Sequence, residues 1–478
     1  MLTTIVLASL VTLSLPQEDV LAEARNLIES QQFADAVTLL EGAREGGAED
    51  RETAVLLAKA QMSSGDARGA IATLDSLGAG EEFEVALNMG RAYVAWANEL
   101  AAGGAPPEDI QVTLADAKPF LAKALDRAPE DQTDAILAEL GQLLLYGLGD
   151  AESVKELTTR ILEEDSENGE ALYLRGCAGT LDFWNAFQAQ DESRIEAAYR
   201  RCEADLLAAD QNLPRARVQP WEQLAWLYET RGEPTKAVDA RIIIIDRNPE
   251  SSFDELYRLS LRYSYDRRFE ASGKALEKIV SLSARELTTR IRNEDLRDEV
   301  ARNMAWSIDP FVQRNDSATA RSILAAIVAA DPKDPVIWHN YAVMCEQTSR
   351  FEDALSAYER IMELDETDPR PYNDAGTVLK FYLERDLEKA NTYYDKCIAM
   401  ADGQLEDPEL APARKAYLMD ARRLARENLG GDEPAQQDGG VRDLLGSFVD
   451  ALGSLNVPED DAEDEDEDGG EADGGTDS

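Results

Sequence analysis

Histidine is almost absent: the chain of 478 residues has a single one, His339. That excludes catalytic schemes and metal cages built on several imidazoles. Cysteine is scarce too, and Cys177, Cys202, Cys345 and Cys397 form no C-x-x-C pair. Zinc, iron–sulfur and thioredoxin-like chemistry therefore fail. All four fall in helical patterns, where a free thiol behaves as a small buried hydrophobe, and a Cys177–Cys202 bridge stays open only for an oxidising compartment. Positive charge is short: 12 Lys and 36 Arg face 95 acidic residues, a net charge of -47. Such a surface repels phosphate backbones and anionic lipid heads, which disfavours nucleic-acid and membrane-surface binding. Motifs that carry chemistry are missing as well. There is no Gly-rich phosphate loop, G-x-S-x-G, H-E-x-x-H or C-x-x-C-H. Gly176-Cys177-Ala178-Gly179 reads as helix packing, and Asp460–Asp468 lacks the spacing of a calcium loop. The expectation is no enzyme, no catalytic residue, no cofactor and no metal. An enzyme using carboxylates near Trp184 is the rival from another class.

The two ends differ from the rest. Met1 to Leu15 is apolar and uncharged, with Glu18 the first charged side chain. Its length suits a signal-peptide core and is too short to span a membrane. Residues 1–17 are expected to be a signal peptide, giving an exported protein with no membrane insertion after its removal. The alternative is a packed first segment in a cytoplasmic protein. Beyond 430 the composition shifts to a linker over 430–440. Residues 441–455 follow, a short amphipathic helix by the spacing of Val441, Leu444, Leu445, Phe448, Val449 and Leu452. Residues 456–478 are expected to be a disordered acidic tail, since 12 of the last 20 residues are acidic and none is basic.

Between the ends, one frame recurs. Trp221, Leu224, Ala225, Tyr228, Ala237, Arg241 and Ile244 share their spacing with Trp338, Tyr341, Ala342, Cys345, Ala354, Tyr358 and Ile361. Ala54, Leu57, Ala58, Gln61, Ala70, Leu74 and Leu77 fit it again, as do Leu137, Leu140, Gly141, Leu144, Ser153, Leu157 and Arg160. Offsets of three, four and seven mark one face of a helix. A turn such as Arg231-Gly232-Glu233-Pro234 stops that helix and starts its partner. Small residues sit where the two helices approach, and the uncovered apolar side of each hairpin requires a stacked neighbour.

These segments resemble tetratricopeptide repeats, a family of helix–turn–helix units of roughly 34 residues. Trp221, Leu224, Ala225, Tyr228, Ala237 and Pro249 carry the pattern best. The resemblance implies an all-α fold, a right-handed superhelical solenoid of helix–turn–helix repeats. About ten repeats are read from Val20 to Met400, with a cap to Leu429, so the array spans 18–429. A loop is expected in the late third unit around Gly103–Pro107. An aromatic insertion, Phe183-Trp184-Asn185-Ala186-Phe187, is expected to interrupt the fifth. The divergent stretch Ser281–Gln313 allows two hinged arrays instead of one.

The resemblance also implies a job: binding a protein or peptide along a concave face lined by first helices. Family positions one, two and five past the Trp give Leu87, Asn88 and Arg91; Glu222, Gln223 and Trp226; His339, Asn340 and Val343; and Asn373, Asp374 and Thr377. The Asn amides are expected to bond a peptide backbone, and Trp226 to cover an apolar side chain. Glu222 and His339 stand where chaperone-binding members have a clamp Lys, so that activity is not carried over.

Overall fold

A computed structural model describes residues 17–45, 50–78, 82–248, 253–431 and 433–435. The expected signal peptide short of Gln17, the 441–455 segment, the acidic tail and most of the 430–440 linker lie outside the described residues. Every regular element among the described residues is helical. The chain divides into two units, the first ending at Leu282 and the second starting at Ser283.

The first unit is a succession of helix pairs: α1 (Gln17–Glu29) with α2 (Phe33–Glu45), α3 (Arg51–Ser64) with α4 (Ala67–Asp75), and α5 (Phe83–Ala102) with α6 (Pro107–Asp126). Next come α7 (Thr133–Gln142), prolonged by a π turn over Leu143–Gly147, with α8 (Ala151–Glu164), and α9 (Gly169–Gln188) with α10 (Glu192–Asn212). Then follow α11 (Gln219–Arg231) with α12 (Pro234–Arg247), and α13 (Phe253–Tyr265) with α14 (Phe269–Asn293). Acidic side chains start many of them. Asp50, Asp66, Asp150 and Asp191 each accept a hydrogen bond from a backbone N–H of the first turn, satisfying donors that a helix start leaves open. Part of the acidic surplus is therefore structural.

Small residues set the approach within a pair. A Cβ on Gly90 would fall 2.7 Å from Leu121 of the partner helix, and one on Gly176 would fall 2.8 Å from Leu206. Large side chains fill in around these contacts: Leu121, Leu137, Leu174, Leu206 and Leu224 are fully buried. Cations then tie each pair to an adjacent one. Lys118 reaches Asp150 at 2.9 Å, Lys155 reaches Asp182 at 2.7 Å and Lys236 reaches Glu203 at 3.1 Å. Lys274 reaches Asp239 at 2.6 Å, and Lys278 pairs with Asp246.

Two expectations are corrected here. The late second helix of the third pair is not delayed by a long loop. Both helices lengthen to 20 residues and only the turn at Gly103–Pro106 separates them. Likewise the aromatic stretch does not interrupt the fifth pair. It forms the last turns of α9, with Phe183 and Ala186 buried on its helical face.

The second unit opens at a break in α14. Ser283 is extended (φ -163°, ψ 92°), and its Oγ accepts from the N–H of Glu286 at 3.2 Å. That is the geometry of an N-cap. After it come α15 (Arg297–Trp306), α16 (Asp309–Gln313), α17 (Ser317–Val328) and the paired α18 (Pro335–Gln347) and α19 (Phe351–Leu364). The last pair is α20 (Arg370–Thr377), prolonged by a π turn over Val378–Tyr382, with α21 (Leu387–Leu405). Helix α22 (Pro412–Gly430) closes this unit against α20 and α21. Ala354, Tyr358, Ala375, Tyr394, Ala421 and Ala425 belong to one core cluster here.

Candidate functional site

The candidate residues do not share one environment. Arg91 is exposed but engaged, donating from Nε to Glu139 of α7 at 2.9 Å. Leu87 and Asn88 are buried, and the Asn88 amide donates to the carbonyl of Glu84 in its own helix at 2.7 Å. Asn340 is also buried, while His339 and Val343 are half-buried. Burial pushes the His339 imidazole below its ordinary value, which favours the neutral ring. Asn373 is 1% exposed. It donates to Asp374 at 3.0 Å and its Oδ1 accepts from Asn428 of α22 at 2.9 Å. Thr377 accepts from the same Asn428 amide at 3.1 Å. Helix α22 thus covers Asn373 and Thr377.

For Asn88, Asn340 and Asn373 the expectation of a ligand-facing amide is therefore corrected. For Asn88 the neighbouring first helix supplies the packing, α3 on α5, and for Asn373 it is α22 on α20.

Position five behaves differently in α11. Trp226 is exposed, as are Glu222 one turn before it and, on α9, Trp184 and Phe187; Gln223 is half-buried. The aromatic rings meet. Trp226 lies 6.0 Å from Phe183, edge-on at 85°, and 6.0 Å from Trp184, which stacks on Phe187 at 5.9 Å and 13°. Phe183 is fully buried and anchors the group to Tyr199 of α10. Beneath it, Lys236 donates to the Tyr199 hydroxyl at 3.0 Å and to Glu203 at 3.1 Å. Arg231 ties the end of α11 to Glu192 at 2.9 Å. The rings thus rest on a rigid base while three of them remain open to solvent.

Sequence reasoning named Trp226 and, separately, the aromatic stretch, but did not place them together. The signal was present: Phe183 and Phe187 are spaced by four, and a continued α9 aims them at the next first helix. Beside Trp226, a cavity of about 470 Å³ opens between α11 and α13, lined also by Glu229, Thr230, Arg262, Tyr263, Asp266 and Arg268.

Among the described residues no three His, Cys, Asp or Glu side chains are placed to hold a metal ion. The four thiols are free and buried, and burial pushes Cys177 up to about 11 and Cys202 up to about 12. Neutral thiols are poor nucleophiles.

Residues 27–94, from α1 into α5, match the family model described as tetratricopeptide repeat. The chain carries tetratricopeptide repeats. A curated relative, the pre-mRNA-splicing factor syf1 homolog of Drosophila melanogaster, is 23% identical over 192 residues, 37% of this chain and 21% of that protein. The chain thus spans about a fifth of that relative's length. Among solved structures, the tetratricopeptide-repeat domain of P58(IPK) is 14% identical, covering 87% of this chain and 99% of that one, with a TM-score of 0.23. The Cut9–Hcn1 hetero-tetramer structure is 14% identical, covering 91% of this chain and 86% of that one, with a TM-score of 0.28. A tetratricopeptide repeat protein from Parabacteroides merdae is 14% identical over 70% of this chain and 98% of its own, at 0.21. TM-scores of this size leave the repeat architecture to rest on the chain's own helix pairs and on the match over 27–94. Tetratricopeptide repeats suggest a protein-binding scaffold, and no helix among the described residues is long and apolar enough to cross a membrane.

Proposed function

We propose that this chain is a non-enzymatic scaffold of the bacterial cell envelope that docks a protein partner on its first-helix face. The observation that carries the reading is the open aromatic group of Trp184, Phe187 and Trp226, assembled from two consecutive repeats. Large aromatics held rigid and left exposed are what interfaces use as anchors, because little entropy is lost when they are covered. Covering their exposed parts removes on the order of 250 Å² of apolar surface, roughly 6 kcal/mol before the costs of association. Glu222 and Gln223 would rim the same contact, and Arg91 and His339 remain secondary candidates on other first helices. Export is supported by the uncharged apolar opening of the sequence alone.

The test is capture of partners from the native host by the full mature chain. Trp226→Ala and Trp184→Ala are each expected to weaken the captured partner about tenfold to a hundredfold, with circular dichroism unchanged. Variants that stay folded and bind at full strength would refute the docking face. For the export reading, terminal sequencing of the native protein is expected to start between Leu15 and Glu18, and finding Met1 or Leu2 would refute it.

A further inference from the structure

We infer that the chain pairs with a second copy of itself, each copy seating its lengthened fifth helix pair in a notch above the short fourth pair of the other. The inference rests on the docking reading above for Trp184 and Phe187, and it adds what covers them.

Helix lengths build the notch. Helix α5 ends 12 residues past Gly90 and α9 ends 12 past Gly176, the positions of closest approach within their pairs. On the returning side, α6 begins 14 residues ahead of Leu121 and α10 begins 14 ahead of Leu206. The fourth pair is shorter at this end. Its first helix, π turn included, stops six residues past Gly141, and α8 begins six ahead of Leu157, which hold the same places in the frame. The six to eight extra residues per helix lift the third and fifth pairs about 9–12 Å above the fourth. They form two ridges of equal height with a gap between them.

Both walls of the gap are apolar. Ile110 and Leu114 lie one turn apart on α6, and a Cβ on Gly147 of the π turn would fall 3.3 Å from Leu114. Opposite, Cys177 and Ala178 of α9 share the core of the fourth pair, and the exposed Leu181 continues their face one turn further. Tyr146 forms the floor at the π turn and is 67% exposed. Trp184 and Phe187 occupy the far side of the fifth ridge, towards Trp226.

The occupant follows from size and area. Successive pairs step about 10 Å, so the gap is about one helix wide, and the fifth ridge is itself one helix thick. A two-fold axis lays Leu181 beside its own copy and brings Trp184 and Phe187 of one chain to Ile110 and Leu114 of the other. Covering Tyr146, Leu181, Trp184 and Phe187 in both copies removes roughly 800 Å² of apolar surface. Apolar atoms make up just over half of an interface, so the total is about 1,400 Å², within the range of a stable dimer. Lys118 and Lys155, at the foot of the walls, are already held by Asp150 and Asp182. The net charge of -47 opposes pairing, so salt that screens it tightens the dimer.

The experiment is sedimentation velocity on the full chain from about 1 to about 100 µM, at about 100 mM and about 500 mM sodium chloride. A reversible dimer is expected, tighter at the higher salt. Tyr146→Ser combined with Leu181→Ser is expected to weaken it at least tenfold, with circular dichroism unchanged. A short bismaleimide is expected to join Leu181→Cys chains into a covalent dimer, since the four native thiols are buried. It is expected not to join chains carrying Glu164→Cys, an exposed position at the opposite end of the fourth pair. A monomer at every concentration and salt overturns the inference, as does a dimer that keeps full strength in the Ser variant or links equally through both cysteines. None of these results touches the docking reading, which is decided separately by capture of the host partner with Trp226→Ala.

Discussion

Glu346 places a carboxyl half-buried in α18, where the Tyr358 hydroxyl donates to it at 2.6 Å. Burial pushes its pKa up to about 7 against that hydrogen bond, with the Asp374 charge adding to the rise. The folded value exceeds the ordinary carboxylate value, so the folded chain holds this proton more tightly than the unfolded one. The stability it contributes is complete below about pH 4.5 and is lost as pH rises through 7. Glu346→Gln keeps the shape and removes the charge. The variant is expected to match the parent near pH 5 and to exceed it near pH 8 by about 1–3 kcal/mol, read from urea midpoints. A parallel pair of pH profiles would show that Glu346 is ionised at no cost. Residue identity alone did not foretell this: Glu346 lies in the repeat frame beside Cys345, and its burial follows from packing that a local pattern does not show.

Among the elements, α22 shows how a repeat stack is closed. Lys380, on the π turn after α20, donates to the carbonyls of Asn428 at 2.7 Å, Leu429 at 3.3 Å and Gly431 at 2.8 Å. These acceptors belong to the end of a helix, where a cation also meets the negative pole of the macrodipole. Lys380→Met keeps most of the stem and removes the donor. It is expected to cost the second unit about 1–3 kcal/mol and to speed hydrogen exchange at the end of α22 first. Unchanged exchange there would mean that Asn428 and the apolar contacts suffice. The helix itself was legible, since Leu410–Leu429 was expected as a cap and α22 occupies nearly that span. Its bonds to Asn373 and Thr377 were not, because nothing in a local pattern says which groove position a terminal helix will cover. The aromatic end of α9 was misread for the opposite reason. A fixed repeat length was imposed where Leu172, Gly176, Phe183 and Ala186 continued at helical spacing. Ser283-Ala284-Arg285-Glu286 has the form of a capping box, so the break in α14, at the start of the divergent stretch Ser281–Gln313, was also written in the sequence.

For the molecule as a whole, two electrostatic effects oppose each other. The lysine pairs between repeats are surface contacts of about 0.2–1 kcal/mol each, and salt weakens them. The net charge of -47 repels itself throughout, and salt relieves that. With acids twice as numerous as bases, the second effect is the larger. Raising sodium chloride from about 20 mM to about 500 mM, which shortens the screening length severalfold, is therefore expected to raise the melting temperature by a few degrees. A fall would show that the pairs dominate. Those pairs run between adjacent helix pairs, as Lys118 to Asp150 and Lys274 to Asp239 do, and this has a mechanical side. A tether pulling on the first unit loads its interfaces in series, so each repeat can peel away with only its neighbour's grip to overcome. Extension should then come in steps, most releasing roughly 34 residues, or about 110 Å of contour, with longer ones from the lengthened third and fifth pairs.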